Sequence, residues 1–156
     1  MHFRGKKENL FKLLSEAKIK IETEGKNNKE LCYYFAHPKN YEYVLKDFMK
    51  LKINLAHFGS DYFWDRFLDS PKEKENWFSI IRNMIVEYEN LYTDTSFTLN
   101  NQNYFSLFKV LLANQKIRDK ILFGSDYYMV ETQTNERRFS LDLRAFIGEN
   151  NFNIIA

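Results

Sequence analysis

A chain of 156 residues with 44% hydrophobic and 28% charged residues can bury one core and is too apolar to be disordered. A net charge of +2 is too balanced to point to nucleic acid or an anionic membrane. The single Cys32 rules out an internal disulfide and fits a reducing compartment. No apolar run reaches transmembrane length and no signal-peptide core opens the chain, so the expectation is a cytoplasmic protein with neither membrane nor nucleic acid as partner.

The chain order of elements follows from spacing. Leu10, Phe11, Leu13, Leu14, Ala17 and Ile21 recur at helical intervals, which predicts an amphipathic helix over residues 7–21 as part of a helical lead-in over 1–30. The polar run 22–29 reads as a loop. Residues 31–36 read as a buried strand ended by His37-Pro38. A helix is expected over 41–49, a strand over 53–56, a turn at Gly59-Ser60-Asp61 and a short helix over 62–68. Ser70-Pro71 looks like a capped helix start, followed by a helix over 76–88. A strand over 91–95, a loop over 100–103, a helix over 104–112, a strand over 121–123 and a helix over 136–147 complete the series, with a weak end at 153–156. Alternation of strand and helix predicts an α/β fold with a parallel sheet, in a single domain over 1–156.

Two strand ends carry side chains suited to chemistry. The run Lys52-Ile53-Asn54-Leu55-Ala56 stops at His57, and Lys120-Ile121-Leu122-Phe123-Gly124-Ser125 stops at Asp126. In parallel sheets, residues just past the strand ends gather on one face, where ligands bind. Imidazole ligates metals and carries protons; a carboxylate can do both as well. On its own, His57 reads more readily as a rim residue bonded to a backbone carbonyl, and Asp126 reads equally well as a turn residue. Asp94, near the end of the intervening strand, reads as a residue that orients a neighbour. His37 ends residues 31–36 and is a further candidate metal ligand, with a loop role as the alternative. Other chemistries lack their motifs. There is no Gly-rich phosphate loop, no Gly-x-Ser-x-Gly, no Cys-x-x-Cys and no His-Glu-x-x-His. Tyr62-Phe63-Trp64 could stack on a planar ligand, though its spacing favours a packing role.

Four segments resemble the amidohydrolase superfamily, in the branch of metal-dependent hydrolases and non-oxidative decarboxylases. His37-Pro38-Lys39-Asn40 with Tyr43-Val44-Leu45 resembles the lead-in to that family's sixth strand, and residues 51–59, ending in His57-Phe58-Gly59, resemble the sixth strand. Asn90-Leu91-Tyr92-Thr93-Asp94-Thr95-Ser96 resembles the seventh, and residues 120–127 the eighth. The likeness covers roughly residues 31–156 and implies part of a (β/α)₈ TIM barrel. It implies a divalent metal ion, with zinc first in line, and a small-molecule substrate. Asp126 would then be metal ligand and general base, and His57 metal ligand or contact to substrate and water. The departures are a length well short of the about 250 residues of a full barrel and the lack of a His-x-His pair. The resemblance is therefore to the C-terminal half, whose open sheet edges point to association with another chain or with another copy. The alternative is a non-catalytic α/β interaction module.

Overall fold

The computed structural model describes residues 7–16, 18, 27–124, 126–133 and 135–147. The chain divides into two units, Met1–Asn40 and Tyr41–Ala156. The expected weak end at 153–156 and most of the 22–29 loop lie outside the described residues.

The first unit holds helices α1 (Lys7–Glu16) and α2 (Asn28–Phe35). Helix α2 corrects the strand expected over 31–36. Aromatic residues there favour a strand, but Asn27 and Glu30 form a reciprocal capping box that nucleates a helix. The Asn27 side chain accepts from the N–H groups of Lys29 and Glu30, and Glu30 accepts from the Asn27 N–H at 2.7 Å. Leu31 is buried while Tyr33 and Tyr34 are exposed, a helical pattern rather than that of an inner strand.

The second unit carries the sheet. Its elements are α3 (Tyr41–Asp47), β1 (Ile53–Leu55), α4 (Asp61–Asp69), α5 (Trp77–Glu87), β2 (Leu91–Asp94), α6 (Phe105–Ala113), α7 (Gln115–Arg118), β3 (Ile121–Leu122), α8 (Tyr127–Gln133) and α9 (Glu136–Ile147). Strands β1, β2 and β3 lie side by side, all parallel. Ile53 pairs with Leu91 and Leu55 with Thr93, while Asp94 pairs with Leu122. Parallel neighbours need long crossovers, and helices α4–α5 and α6–α7 supply them.

Helix α5 is the central packing element, with Trp77, Phe78, Ile80, Ile81, Met84 and Ile85 buried. Its start is Asn76 and not Ser70-Pro71, whose segment forms turns. The Asn76 side chain accepts from the Ser79 N–H and donates to the Phe63 carbonyl at 3.0 Å, so one buried amide caps α5 and ties it to α4. Fully buried Phe58, Trp64 and Phe78 pack edge-on and tilted at 4.8–5.5 Å between ring centres. Phe63 stacks on Trp77 at 4.7 Å. Thus Phe63 and Trp64 serve the core. The loop expected at 100–103 is two tight 3-10 turns, Ser96–Asn100 and Gln102–Tyr104. Helix α9 joins through Phe146, whose ring lies 4.6 Å from that of Phe105.

At the entering ends of the strands, the Asn90 side chain faces the carbonyls of Leu45, Phe48 and Leu51 at 3.0–3.4 Å. Lys120 Nζ donates to the carbonyls of Tyr88 and Glu89. Burial pushes its pKa down. These contacts hold the bottom of the sheet and leave the leaving ends free to carry polar groups.

Candidate active site

All three strands leave the sheet through left-handed backbone. After β1, His57 (φ 39°), Phe58 (φ 51°), Gly59 (φ 98°) and Ser60 (φ 133°) turn in succession; after β2 comes Ser96 (φ 32°), and after β3 Asp126 (φ 49°). For non-glycine residues this geometry costs on the order of 1–3 kcal/mol each and persists only where the surroundings impose it. In the second unit, the positive-φ residues among those described are these strand-end residues.

After β1 the surroundings that impose it come from β2 and α4. Thr93, fully buried, donates its hydroxyl to the Leu55 carbonyl at 2.6 Å and accepts from the Phe58 N–H at 3.1 Å. Asp94 Oδ1 accepts from the His57 N–H at 3.2 Å and from the Ser96 hydroxyl at 2.5 Å; its Oδ2 accepts from Asn54 Nδ2 at 2.7 Å. The Trp64 indole N–H donates to the His57 carbonyl at 3.1 Å. The turn after β1 is therefore fixed by hydrogen bonds at His57 and Phe58 and by the burial of the Phe58 ring.

The His57 side chain is 38% exposed, yet its Nδ1 is sealed from solvent without a hydrogen-bond partner, 3.8 Å from Asp94 Oδ1. That separation is too long for a hydrogen bond and short enough for strong electrostatic influence. Asp126 is exposed at the start of α8, where its carbonyl accepts from the Met129 N–H. The chain leading to it passes close to β2's end, since a Cβ on Gly124 would lie 3.5 Å from Ser96 Oγ. His57, Asp94, Ser96 and Asp126 thus all stand just past, or at, the leaving ends of adjacent parallel strands.

His37 belongs to the first unit. Its Nδ1 accepts from the Lys39 N–H at 3.3 Å and its carbonyl accepts from the Asn40 N–H, so it caps the 3-10 turn Pro38–Asn40. Asn54 and Ser96 join the expected rim residues through their hydrogen bonds to Asp94. The signal for Ser96 is the Asp94-Thr95-Ser96 triplet, in which a hydroxyl two residues on can bond the carboxylate; nothing local marks Asn54, whose partner lies on another strand.

Among the described residues no group of three or more His, Cys, Asp or Glu side chains is placed to hold a metal ion. Catalytic zinc sites take about three protein ligands. Asp94 already accepts three hydrogen bonds, which leaves His57 and Asp126 as donors from this rim. The described residues fit part of a metal site and not a whole one. Among them, too, no helix is long and apolar enough to cross a membrane.

No curated protein and no solved structure matches this chain. The family model described as Amidohydrolase matches residues 36–149, a stretch that contains all three strands and their polar ends. The chain belongs to the amidohydrolase family.

Proposed function

We propose that this chain carries part of the reacting face of a metal-dependent hydrolase or decarboxylase of the (β/α)₈ barrel class, acting on a small molecule. The observation that carries the reading is the run of left-handed strand ends, with His57 and Asp126 on the outer two of three adjacent parallel strands. Family membership supports the reaction class, since amidohydrolases generally use divalent metals. The matched segments correspond to the later strands of such a barrel, and association with another copy would cover the sheet edges. Zinc is the proposed ion, and the cytoplasm the proposed location.

In this reading Asp126 is metal ligand and base, because an exposed carboxylate after β3 can accept a proton from substrate or water. His57 is ligand or substrate contact through the nitrogen on its outer edge. Asp94 and Ser96 keep the rim in shape. His37 lies in the other unit, where its Nδ1 accepts from the Lys39 N–H of its own turn.

Zinc titration by calorimetry tests this. Weak binding is expected from the wild-type chain, reduced at least about tenfold in both His57→Ala and Asp126→Ala and unchanged in His37→Ala. Equal binding by the wild type and by both rim variants contradicts the proposal. A second reading, a non-catalytic interaction module, draws on the exposed Leu122, Phe123, Tyr128 and Met129 around β3 and α8. It predicts that result.

A further inference from the structure

The most constrained group on the rim is the carboxylate of Asp94. Its side chain is only 13% exposed and accepts from three donors that come from three places: Asn54 on β1, the His57 backbone in the following turn, and Ser96 after β2. Ser96 approaches at 2.5 Å, the length of a charge-assisted bond to an ionised oxygen. The same oxygen, Oδ1, lies 3.8 Å from His57 Nδ1, which has no hydrogen-bond partner and no access to water.

A neutral imidazole holds one proton, on Nδ1 or on Nε2. Nothing hydrogen-bonds Nδ1, so the nearby negative charge decides. A proton on Nδ1 meets the carboxylate favourably, whereas a lone pair on Nδ1 would face it with like charge. We infer that Asp94 is a positioning residue for His57: it fixes the turn through the His57 N–H and holds the imidazole in its Nδ1–H form, leaving the lone pair on Nε2. That is the form in which the exposed edge of the ring can bind a cation or accept a proton from a substrate. The inference rests on reading the rim as the reacting face, but its test uses no turnover and no metal, so the two can fail separately.

The chain has three histidines, His2, His37 and His57. Two-bond nitrogen–proton correlation spectra of the imidazoles, at a pH where they are neutral, resolve each tautomer. His57→Gln identifies the His57 signals by their loss. The expected wild-type pattern for His57 is a protonated, pyrrole-type Nδ1 and an unprotonated, pyridine-type Nε2. In Asp94→Asn the amide oxygen can still accept from His57 and Ser96, and Asn54 can turn its amide to accept from the new Nδ2. The fold is kept and the charge is gone. The Nδ1–H preference is then expected to disappear, with both nitrogen shifts moving toward the Nε2–H pattern. Asn54→Ala, which removes a bond but not the charge, is expected to leave the tautomer unchanged. A wild-type His57 in the Nε2–H form overturns the inference, whether or not the variants fold, and so does an unaltered tautomer in folded Asp94→Asn.

Discussion

Phe58→Ala is expected to lower the free energy of unfolding by roughly 3–5 kcal/mol, the range for deleting a buried aromatic ring. The Phe58 ring is fully buried, and its centre lies 5.5 Å from Trp64 and 5.2 Å from Phe78. Its truncation opens a cavity between α4, α5 and the turn after β1, whose neighbours are themselves large and rigid and so close it poorly. The backbone of Phe58 sits at φ 51°, a geometry tolerated because the ring and the Thr93 hydroxyl hold it. Loss of the ring therefore also releases the turn that carries His57. Urea denaturation reads the stability and amide exchange reads the turn. The expected pair is a lower midpoint with an unchanged slope and faster exchange at His57 and Phe58. A loss below about 1 kcal/mol would mean that the ring is not the anchor of the site.

Gly59→Ala is the second large effect, expected at roughly 2–4 kcal/mol. Gly59 has φ 98°, where a side chain is strained even in open space. The space is not open: an added Cβ would come within 2.9 Å of Trp77 Cβ and 3.2 Å of the Phe63 ring. Trp77 Cβ is bonded to the backbone at the start of α5 and cannot swing away, so either the helix or the turn must shift. Gly124→Ala is the internal control. An added Cβ there meets Ser96 Oγ at an ordinary 3.5 Å, and Gly124 is not among the positive-φ glycines. It should cost less than about 1 kcal/mol. Thermal melts of the two variants separate steric placement from a generic cost of replacing glycine; equal losses would contradict the close approach of α5 to the turn.

The sheet was legible in the sequence because the short runs expected as strands at 53–56, 91–95 and 121–123 stop at His57, Ser96 and Gly124, a local pattern. Helices α4, α5, α6 and α9 were legible for the same reason, since their apolar spacing is long and regular. Residues 31–36 look extended in the sequence because Cys, Tyr and Phe in succession favour extended backbone, while the capping box that decides for a helix is set by Asn27 and Glu30. At the site, the residue types at the strand ends could be read, and their geometry could not. His57, Phe58, Ser96 and Asp126 have no intrinsic preference for positive φ strong enough to predict it. For His57 and Phe58 the cause is hydrogen bonding to Thr93 and Asp94, about 35 residues away in the chain. The hub role of Asp94 was hidden for the same reason, because two of its three donors lie on another strand and its turn.

His57 and Asp126, which follow the outer strands of one parallel sheet, are proposed to serve a single site. The most direct measurement is paramagnetic broadening of backbone and imidazole resonances by substoichiometric manganese(II). Signals of His57, Ser96 and Asp126 are expected to broaden together and first, and Asp126→Asn to remove the effect at His57. Broadening confined to exposed carboxylates elsewhere, with His57 and Asp126 unaffected or responding independently, would contradict it.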